Sequence, residues 1–310
     1  MMGAGQRRDG DGRTTVALAQ LLSLRAEAGK IRLPRVVSRQ SRHGQQASRS
    51  FGRGMDYAES RAYQAGDDIR RLDWRLTARS GRLHTKLFQE EREAQLLIVL
   101  DTHGSMRFGT RERYKSVQAA RAAALAAWHG VACGERVGML GFGSSQHFLR
   151  PRAGIRGATG ICGALADWDQ APDDVGSQSL SLALGRVLRE ARGVSRILLI
   201  SDGWSSDQAA RGPLLSLAQR SRIGVLLVSD PMETALLPSG RYPLQTDAGR
   251  VELDLAGERA RRELQQQLGQ GRQRLLDLIE PLGLAHESLD TRGDPAAALG
   301  RVLTWRGGRS

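Results

Sequence analysis

Residues 96–105 read Leu-Leu-Ile-Val-Leu-Asp-Thr-His-Gly-Ser: five apolar residues run directly into a carboxylate and a group of mostly small residues. A continuous apolar run of this length is typical of a strand that is buried on both faces. Similar runs follow at Val137–Phe142, Ile197–Ile200 and Val225–Val228. Because segments with helical spacing separate them, the pattern predicts βαβ units and a doubly wound, mostly parallel sheet of the α/β class.

The segments around these strands have a periodicity of their own. Five of them show the apolar spacing of helices: Lys115–Trp128, Leu180–Arg192, Pro213–Arg220, Glu258–Ile279 and Pro295–Leu303. Tyr242–Leu255 alternates around the turn Asp247-Ala248-Gly249, which predicts a surface hairpin. Leu284–Leu289 predicts a last strand.

The composition is that of an ordinary globular protein, with 40% hydrophobic and 25% charged residues. No apolar run reaches the ~18 residues that a membrane helix needs, and the N-terminus lacks the apolar core of a signal peptide. The two cysteines have no CxxC neighbour, which argues against a zinc ribbon or a disulfide framework. We therefore expect a cytoplasmic protein.

The N-terminal segment, residues 1–50, is strongly basic. It holds ten basic and three acidic residues, a local charge of +7 within a chain of net charge +13. Such an arm can attract nucleic acid, but its nearest aromatic residue is Phe51, so it offers no stacking platform for single strands. A solvated arginine-rich surface is the favoured interpretation, and nucleic-acid binding through residues 1–50 is kept as an alternative. Leucines from Leu18 to Leu24 predict one short amphipathic helix that ends near Gly29.

Two predicted strands end in a carboxylate. Leu96–Leu100 runs into Asp101, and Ile197–Ile200 runs into Ser201-Asp202-Gly203. Ligands collect at the carboxyl ends of strands in open parallel sheets, so Asp101 and Asp202 meet at one rim if the two strands are neighbours. With the Ser105 hydroxyl they would offer the oxygen ligands that Mg²⁺ prefers. A metal held in this way keeps a position open for a carboxylate of a partner, which is adhesion and not catalysis.

This arrangement resembles the metal-ion-dependent adhesion site of von Willebrand factor A domains. Their pattern is Asp-x-Ser-x-Ser, then a Thr, then an Asp after a later strand; here Asp101-x-His103-x-Ser105 precedes Asp202. His103 replaces the first serine, and an imidazole suits zinc, nickel or copper better than Mg²⁺. Gln178 replaces the threonine.

Several metal assignments therefore stay open. A one-residue slip would bring Ser177 or Ser179 to the threonine position in place of Gln178. The site then holds Mg²⁺ or Mn²⁺ at Asp101, Ser105 and Asp202, or a transition metal on His103, or no metal at all. Because two of the expected ligand types are replaced, ligand chemistry favours the third alternative, a rim that binds no metal.

A second motif lies upstream, in residues 52–79. Gly52-Arg53-Gly54-Met55-Asp56-Tyr57 and Gly66-Asp67-Asp68-x-Arg70-x-x-Asp73-Trp74, followed by Ala78-Arg79, resemble the domain-of-unknown-function 58 family. In that family this block sits just ahead of a von Willebrand factor A-like domain. The resemblance covers about residues 15–230. It implies a cytoplasmic bacterial protein without enzymatic activity that works beside MoxR-type AAA+ ATPases, in systems thought to act as chaperones or in cofactor insertion.

The role of this block is predicted from its alternating charges. Acidic residues and arginines at helical spacing pair with one another, so we expect an internal salt-bridge and capping network, with direct partner contact as the alternative. The members of this network are Asp67, Asp68, Arg70, Asp73, Trp74 and Arg79. Trp74 is expected to pack in the core or at an interface, and Gly81 to end the helical turn.

These observations predict three regions: the basic segment 1–50, the family block 51–90 packed on the main domain, and a von Willebrand factor A-like domain at 91–310. The leading functional hypothesis is a non-enzymatic interaction module that binds a MoxR-type AAA+ ATPase through the rim. A metal-dependent hydrolase or phosphatase using Asp101, Asp202 and His103 is an alternative. Gly154, Gly157 and Gly160 lack the Lys-Ser/Thr of a phosphate loop and predict an ordinary loop.

Overall fold

The computed structural model describes residues 10–29, 31, 55–64, 66–90, 94–144, 147–169, 178–246 and 249–304. The chain divides into a main unit, residues 1–35 with 95–310, and a smaller hairpin unit, residues 36–94. The strands are β1 (Met55–Ala62), β2 (His84–Glu90), β3 (Gln95–Asp101), β4 (Arg136–Phe142), β5 (Phe148–Arg152), β6 (Arg196–Ser201), β7 (Arg222–Ser229), β8 (Arg241–Thr246), β9 (Gly249–Asp254) and β10 (Ala285–Asp290). The α-helices are α1 (Leu18–Ser23), α2 (Arg25–Ala28), α3 (Trp74–Ser80), α4 (Lys115–Ala132), α5 (Gly154–Asp169), α6 (Leu180–Glu190), α7 (Arg211–Ala218), α8 (Pro231–Thr234), α9 (Glu258–Ile279) and α10 (Pro295–Thr304).

A six-stranded sheet forms the centre of the main unit, in the order β10-β7-β6-β3-β4-β5. Its strands pair in parallel except for β5, which runs antiparallel to β4 at one edge. The predicted α/β class with a mostly parallel sheet is therefore confirmed, and β3 and β6 are direct neighbours.

Both faces of the sheet are covered, which explains the uninterrupted apolar runs. Along β3, Leu96, Ile98 and Leu100 belong to one core cluster, while Leu97 and Val99 belong to the other. Helices α1, α2, α4, α5 and α10 supply residues to the first cluster, and α6, α7 and α9 to the second. Successive side chains of a strand point to opposite faces, so a strand between two helical layers has no solvent-facing position.

Part of the predicted basic arm belongs to the main unit. The single helix expected from Leu18 to Gly29 is divided into α1 and α2 at Leu24. Leu21 and Leu24 are buried, and the Trp128 indole N–H of α4 donates to the Leu21 carbonyl at 3.0 Å. Residues 32–50 of the predicted basic segment lie outside the described residues.

The loop predicted around Gly154, Gly157 and Gly160 is wrong, because these glycines lie in α5. Ala158, Ile161 and Leu165 are buried at helical spacing along the same helix. A Cβ on Gly157 would lie 2.4 Å from the Arg152 carbonyl oxygen, so the glycine permits a close approach of the helix to β5. The glycines therefore form no phosphate loop, and the helical spacing of the apolar residues around them is the signal that indicates α5.

The hairpin unit consists of the antiparallel pair β1 and β2 with a 3-10 turn and α3 between them. The two strands were not predicted, but the caps follow the sequence. Asp68 accepts from the Arg70 amide, Asp73 accepts from the Leu76 amide, and Gly81 ends α3 with φ 68°. Trp74 is 65% exposed, so of its two predicted places the core is wrong, and the interface stays a prediction.

The predicted hairpin is formed by β8 and β9. Asp247 and Ala248 of its turn lie outside the described residues. Among the helices of the described ranges, none combines the length and the apolar character needed to cross a membrane.

Candidate functional site

The predicted rim lies at the carboxyl ends of β3 and β6. The two strands pair in parallel, with Leu100 beside Ile200, so Asp101 and the Ser201-Asp202 pair emerge at the same edge of the sheet. The Ser201 hydroxyl donates to Asp101 Oδ2 at 2.6 Å across this edge. The structure therefore brings together the strand ends that carry the two predicted carboxylates.

The Asp101 carboxylate is buried and accepts four hydrogen bonds. Oδ1 accepts from the His103 amide at 3.0 Å and from His103 Nδ1 at 2.6 Å. Oδ2 accepts from the hydroxyls of Ser201, at 2.6 Å, and Ser205, at 2.8 Å. Burial raises the pKa of Asp101, but the hydrogen bonds and charge of His103 together with the Ser201 hydrogen bond outweigh it, so the pKa is lowered and the group stays ionised.

His103 acts as a donor to this carboxylate. Its side chain is 14% exposed and its ring meets the Phe142 ring edge-on at 5.8 Å. Burial lowers the pKa of His103, but the hydrogen bond and the negative charge of Asp101 raise it more, with a further contribution from Asp202. Gly143, at φ +106°, makes room for the ring, because a Cβ there would lie 2.6 Å from His103 Nδ1.

A buried lysine ammonium neutralises the second carboxylate. Lys115, the first residue of α4, has a side chain only 1% exposed. Its Nζ lies 2.8 Å from Asp202 Oδ2 and 2.5 Å from Glu233 Oε1. Burial lowers the pKa of Lys115, but the charges of Asp202 and Glu233 outweigh it and raise the pKa. Burial raises the pKa of both carboxyls, and the charge of Lys115 opposes this.

The Glu233 carboxylate is held in place by a capping box at the end of β7. Asp230 caps α8 by accepting from the Met232 amide, and Glu233 Oε2 accepts from the Asp230 amide at 2.9 Å. The hydroxyls of Thr110 and Thr291 donate to Asp230 at 2.6 and 2.9 Å. With Oε2 fixed by the cap, Oε1 of Glu233 faces Lys115.

Lys115 and Glu233 were not predicted as site residues. A lysine that begins an amphipathic helix is usually a solvated residue, and the partners of Lys115 lie 87 and 118 positions away in the chain. One signal was available: Lys30, Lys86 and Lys115 are the only lysines in a chain with 46 basic residues. A lysine in a chain whose basic residues are nearly all arginine indicates a site that accommodates the compact ammonium group but not the larger guanidinium.

Among the described residues, the remaining predicted ligands make no hydrogen bond to Asp101 or Asp202. Ser105 lies in a 3-10 turn, and its buried hydroxyl has no hydrogen-bond partner within the described ranges. Gln178 accepts from Arg186 of α6 at 3.5 Å, and the Ser179 hydroxyl pairs with that of Ser181 at 3.0 Å. Ser177 lies outside the described residues.

The donor set does not fit a resident divalent metal. Each oxygen of Asp101 already accepts two hydrogen bonds, and Asp202 Oδ2 accepts from the Lys115 ammonium. A divalent ion needs free oxygen lone pairs at about 2.0–2.6 Å. No group of three or more His, Cys, Asp or Glu side chains suited to a metal occurs in the described part of the chain.

The family block forms its own small network inside the hairpin unit. Asp67 pairs with Arg61 at 2.7 Å, and Asp73 accepts from the Ser60 hydroxyl at 2.7 Å. The Gln64 amide hydrogen bond is the largest contribution to the lowered pKa of Asp67. Arg70 supplies its backbone amide to Asp68, and Arg79 lies in the last turn of α3. The acidic members therefore serve as caps and internal pairs.

Comparison with known proteins places these features in a family. Residues 59–274 match the family described as "Protein of unknown function DUF58". "Uncharacterized protein Mb1516" of Mycobacterium bovis is 31% identical over 204 residues, which cover 66% of this chain and 64% of that relative. The chain thus spans less than two thirds of the relative's length.

Solved structures with a similar arrangement include two of low sequence identity. BatB from Bacteroides thetaiotaomicron is 16% identical with a TM-score of 0.41, covering 68% of this chain and 97% of that one. The SpRpn10 VWA domain is 9% identical with a TM-score of 0.35, covering 67% and 94%. The fold class therefore rests on the strand order of the sheet, and the family match over more than half of the sequence shows that the chain belongs to the DUF58 family.

Proposed function

We propose that this chain is a non-enzymatic protein-interaction module, an accessory partner of a MoxR-type AAA+ ATPase in a chaperone-like or complex-maturation system. The observation that carries the proposal is the internal neutralisation of the rim. The side chains of Asp101, Asp202 and Lys115 are almost fully buried and bonded to one another or to their neighbours. Such a network fixes the loops above it and favours a rigid binding surface, like those of complexes whose partners change little on binding.

The surface of the rim has the composition of a binding site. Arg107 and Arg111 are exposed in the loop after β3, and Arg274 of α9 lies over the Trp204 ring at 5.6 Å in the loop after β6. Arginine and tryptophan are enriched among the residues that dominate binding energy. This surface suits a partner that presents carboxylates, which it would bind through arginine and without a bridging ion.

The hairpin unit contributes a second exposed surface. Ile69, Trp74 and Leu83 are 64%, 65% and 47% exposed. A contiguous apolar patch on a protein surface marks a contact with another protein, and we propose that these three side chains contribute to one. Arg75 and Arg79 are exposed on the same short helix.

The test is capture of the MoxR-type ATPase of the same organism by the purified chain. We expect the charge reversals Arg107→Glu and Arg111→Glu together to weaken binding at least tenfold, because they place carboxylates opposite an acidic partner. Arg192→Glu is the matched control, since Arg192 is an exposed arginine just ahead of β6, at the opposite edge of the sheet. Equal capture by the double variant and the control would exclude the rim as the contact.

A further inference from the structure

The positive charges of the site come from the chain itself. Three carboxylates, those of Asp101, Asp202 and Glu233, gather at the ends of β3, β6 and β7. His103 donates to the first at 2.6 Å, and Lys115 donates to the other two at 2.8 and 2.5 Å. A carboxylate pair at a sheet edge needs a cation, and here α4 delivers it as a side chain.

We infer that the Lys115 ammonium occupies the place of a divalent ion in this rim, and that removing its amine while leaving open space converts the rim into an Mg²⁺ or Mn²⁺ site. This inference goes beyond the proposed interaction function and does not depend on it. It concerns which cation the rim holds, whichever partner binds there.

The burial of Lys115 supports the inference that its ammonium takes the place of a metal ion. With 1% of its side chain exposed, the ammonium has lost its water, and two of its three N–H groups go to Asp202 and Glu233. The Phe108 ring lies 5.7 Å from Nζ and adds a cation–π contact. Two anionic oxygens and a ring face are a coordination shell for a monovalent cation.

Charge repulsion explains why lysine and metal exclude each other. A divalent ion bound to Asp202 would stand within a few ångströms of the ammonium, because Nζ is already 2.8 Å from that carboxylate. Like charges at such distances in a poorly hydrated interior repel strongly, so the rim takes either the lysine or the ion.

Two substitutions of Lys115 by neutral residues separate the loss of the positive charge from the opening of a cavity. Lys115→Ala removes the ammonium and leaves a cavity between Asp202 Oδ2 and Glu233 Oε1, where an ion could enter with some of its waters. Lys115→Met removes the same charge but fills most of the same volume. If the ion replaces the ammonium, Lys115→Ala gains a metal site and Lys115→Met does not.

The experiment measures the melting temperature and Mn²⁺ binding of the full chain, in EDTA and in millimolar MgCl₂ or MnCl₂. We expect the wild-type melting temperature to be the same in all three solutions. Lys115→Ala should melt lower in EDTA and recover several degrees in Mn²⁺, because an ion that binds the native state stabilises it. Electron paramagnetic resonance should show bound Mn²⁺ in Lys115→Ala and in neither the wild type nor Lys115→Met. The melting temperature of Lys115→Met should stay below that of the wild type in all three solutions.

Two results would overturn the inference. One is Mn²⁺ bound by the wild type and lost in Asp202→Asn, which would make the rim a metal site beside an occupied lysine. The other is a folded Lys115→Ala that gains neither bound Mn²⁺ nor stability. If neither Lys115 variant folds, the wild-type titration decides between a rim that takes metal and one that does not. Loss of ATPase capture with these metal results unchanged would refute the proposed function and leave this inference standing.

Discussion

The central sheet buries an ion pair at each of its two ends, and the two pairs differ in how they are bonded. At the carboxyl end, Lys115 donates hydrogen bonds to Asp202 and Glu233. At the amino end, Arg196 of β6 lies 3.3 Å from Glu135, with side chains 5% and 4% exposed. There, Arg196 Nε and Nη2 and Glu135 Oε2 have no hydrogen-bond partner within the described residues.

From this difference we expect the fold to depend on the carboxyl-end pair more than on the amino-end pair. Burying two charges removes them from water, and only good geometry with further hydrogen bonds compensates that loss. Burial raises the pKa of Glu135, and the charge of Arg196 opposes this only in part. We therefore expect that apolar side chains can replace the amino-end pair, and that the carboxyl-end cluster does not tolerate the loss of Lys115.

The largest expected effect is that of Lys115→Met. It leaves Asp202 and Glu233 buried without a counter-charge, so the free energy of unfolding should fall by about 3–5 kcal/mol. Urea denaturation monitored by circular dichroism measures it. A loss below about 1 kcal/mol would show that the carboxyl-end cluster is no more important than an exposed pair, and the comparison would fail.

Gly143→Ala tests whether the position of the His103 ring contributes to the stability of the carboxyl-end cluster. Its Cβ would press on His103 Nδ1 at 2.6 Å in a backbone of φ +106°, so we expect a loss of about 1–3 kcal/mol. Gly249→Ala is the control, because Gly249 has φ +120° and nothing within 4 Å of an added Cβ. Equal losses in the two variants would assign the effect to backbone strain alone.

The third prediction concerns pH. The pKa of His103 is raised above its usual 6.5 by Asp101, although burial opposes the shift. The stability that the charged ring contributes is therefore complete below pH 6.5 and is lost as the pH rises through the raised value. Between pH 6 and 9 the wild type should lose more stability than His103→Gln, by at most about 1.4 kcal/mol for each pH unit of the shift. Parallel stability profiles of the two proteins would contradict a charged His103.

The smallest effect is expected at the amino end of the sheet. The double substitution Glu135→Leu with Arg196→Met should leave the free energy of unfolding unchanged within about 1 kcal/mol, or raise it, because apolar residues can replace a poorly bonded buried pair. Equilibrium unfolding of the double variant against the wild type measures it. A loss as large as that of Lys115→Met would remove the distinction between the two ends.

The fold could be predicted because its signal is local. The apolar runs of β3 and β6 and the carboxylates that follow them are continuous in sequence, and the parallel pairing brings Asp101 to Ser201 as expected. Lys115 could not be assigned, since its burial depends on two residues about a hundred positions away. The α5 glycines were misjudged because their spacing was compared with a phosphate loop and the helix around them was not considered. Residue type left Trp74 between the core and an interface, and only its exposure of 65% in the structure excludes the core.

The N-terminal helices have a practical consequence for any fragment of this protein. The region shared with the family is 59–274, yet Leu21 and Leu24 lie in the core, and the Arg13 carbonyl accepts from the Tyr114 amide at 2.7 Å, one residue before Lys115. The last strand β10 and helix α10 also lie beyond the shared region. A fragment trimmed to the family limits would therefore lack both flanks of its own hydrophobic core. The region that the family shares is therefore shorter than the region needed to complete the hydrophobic core.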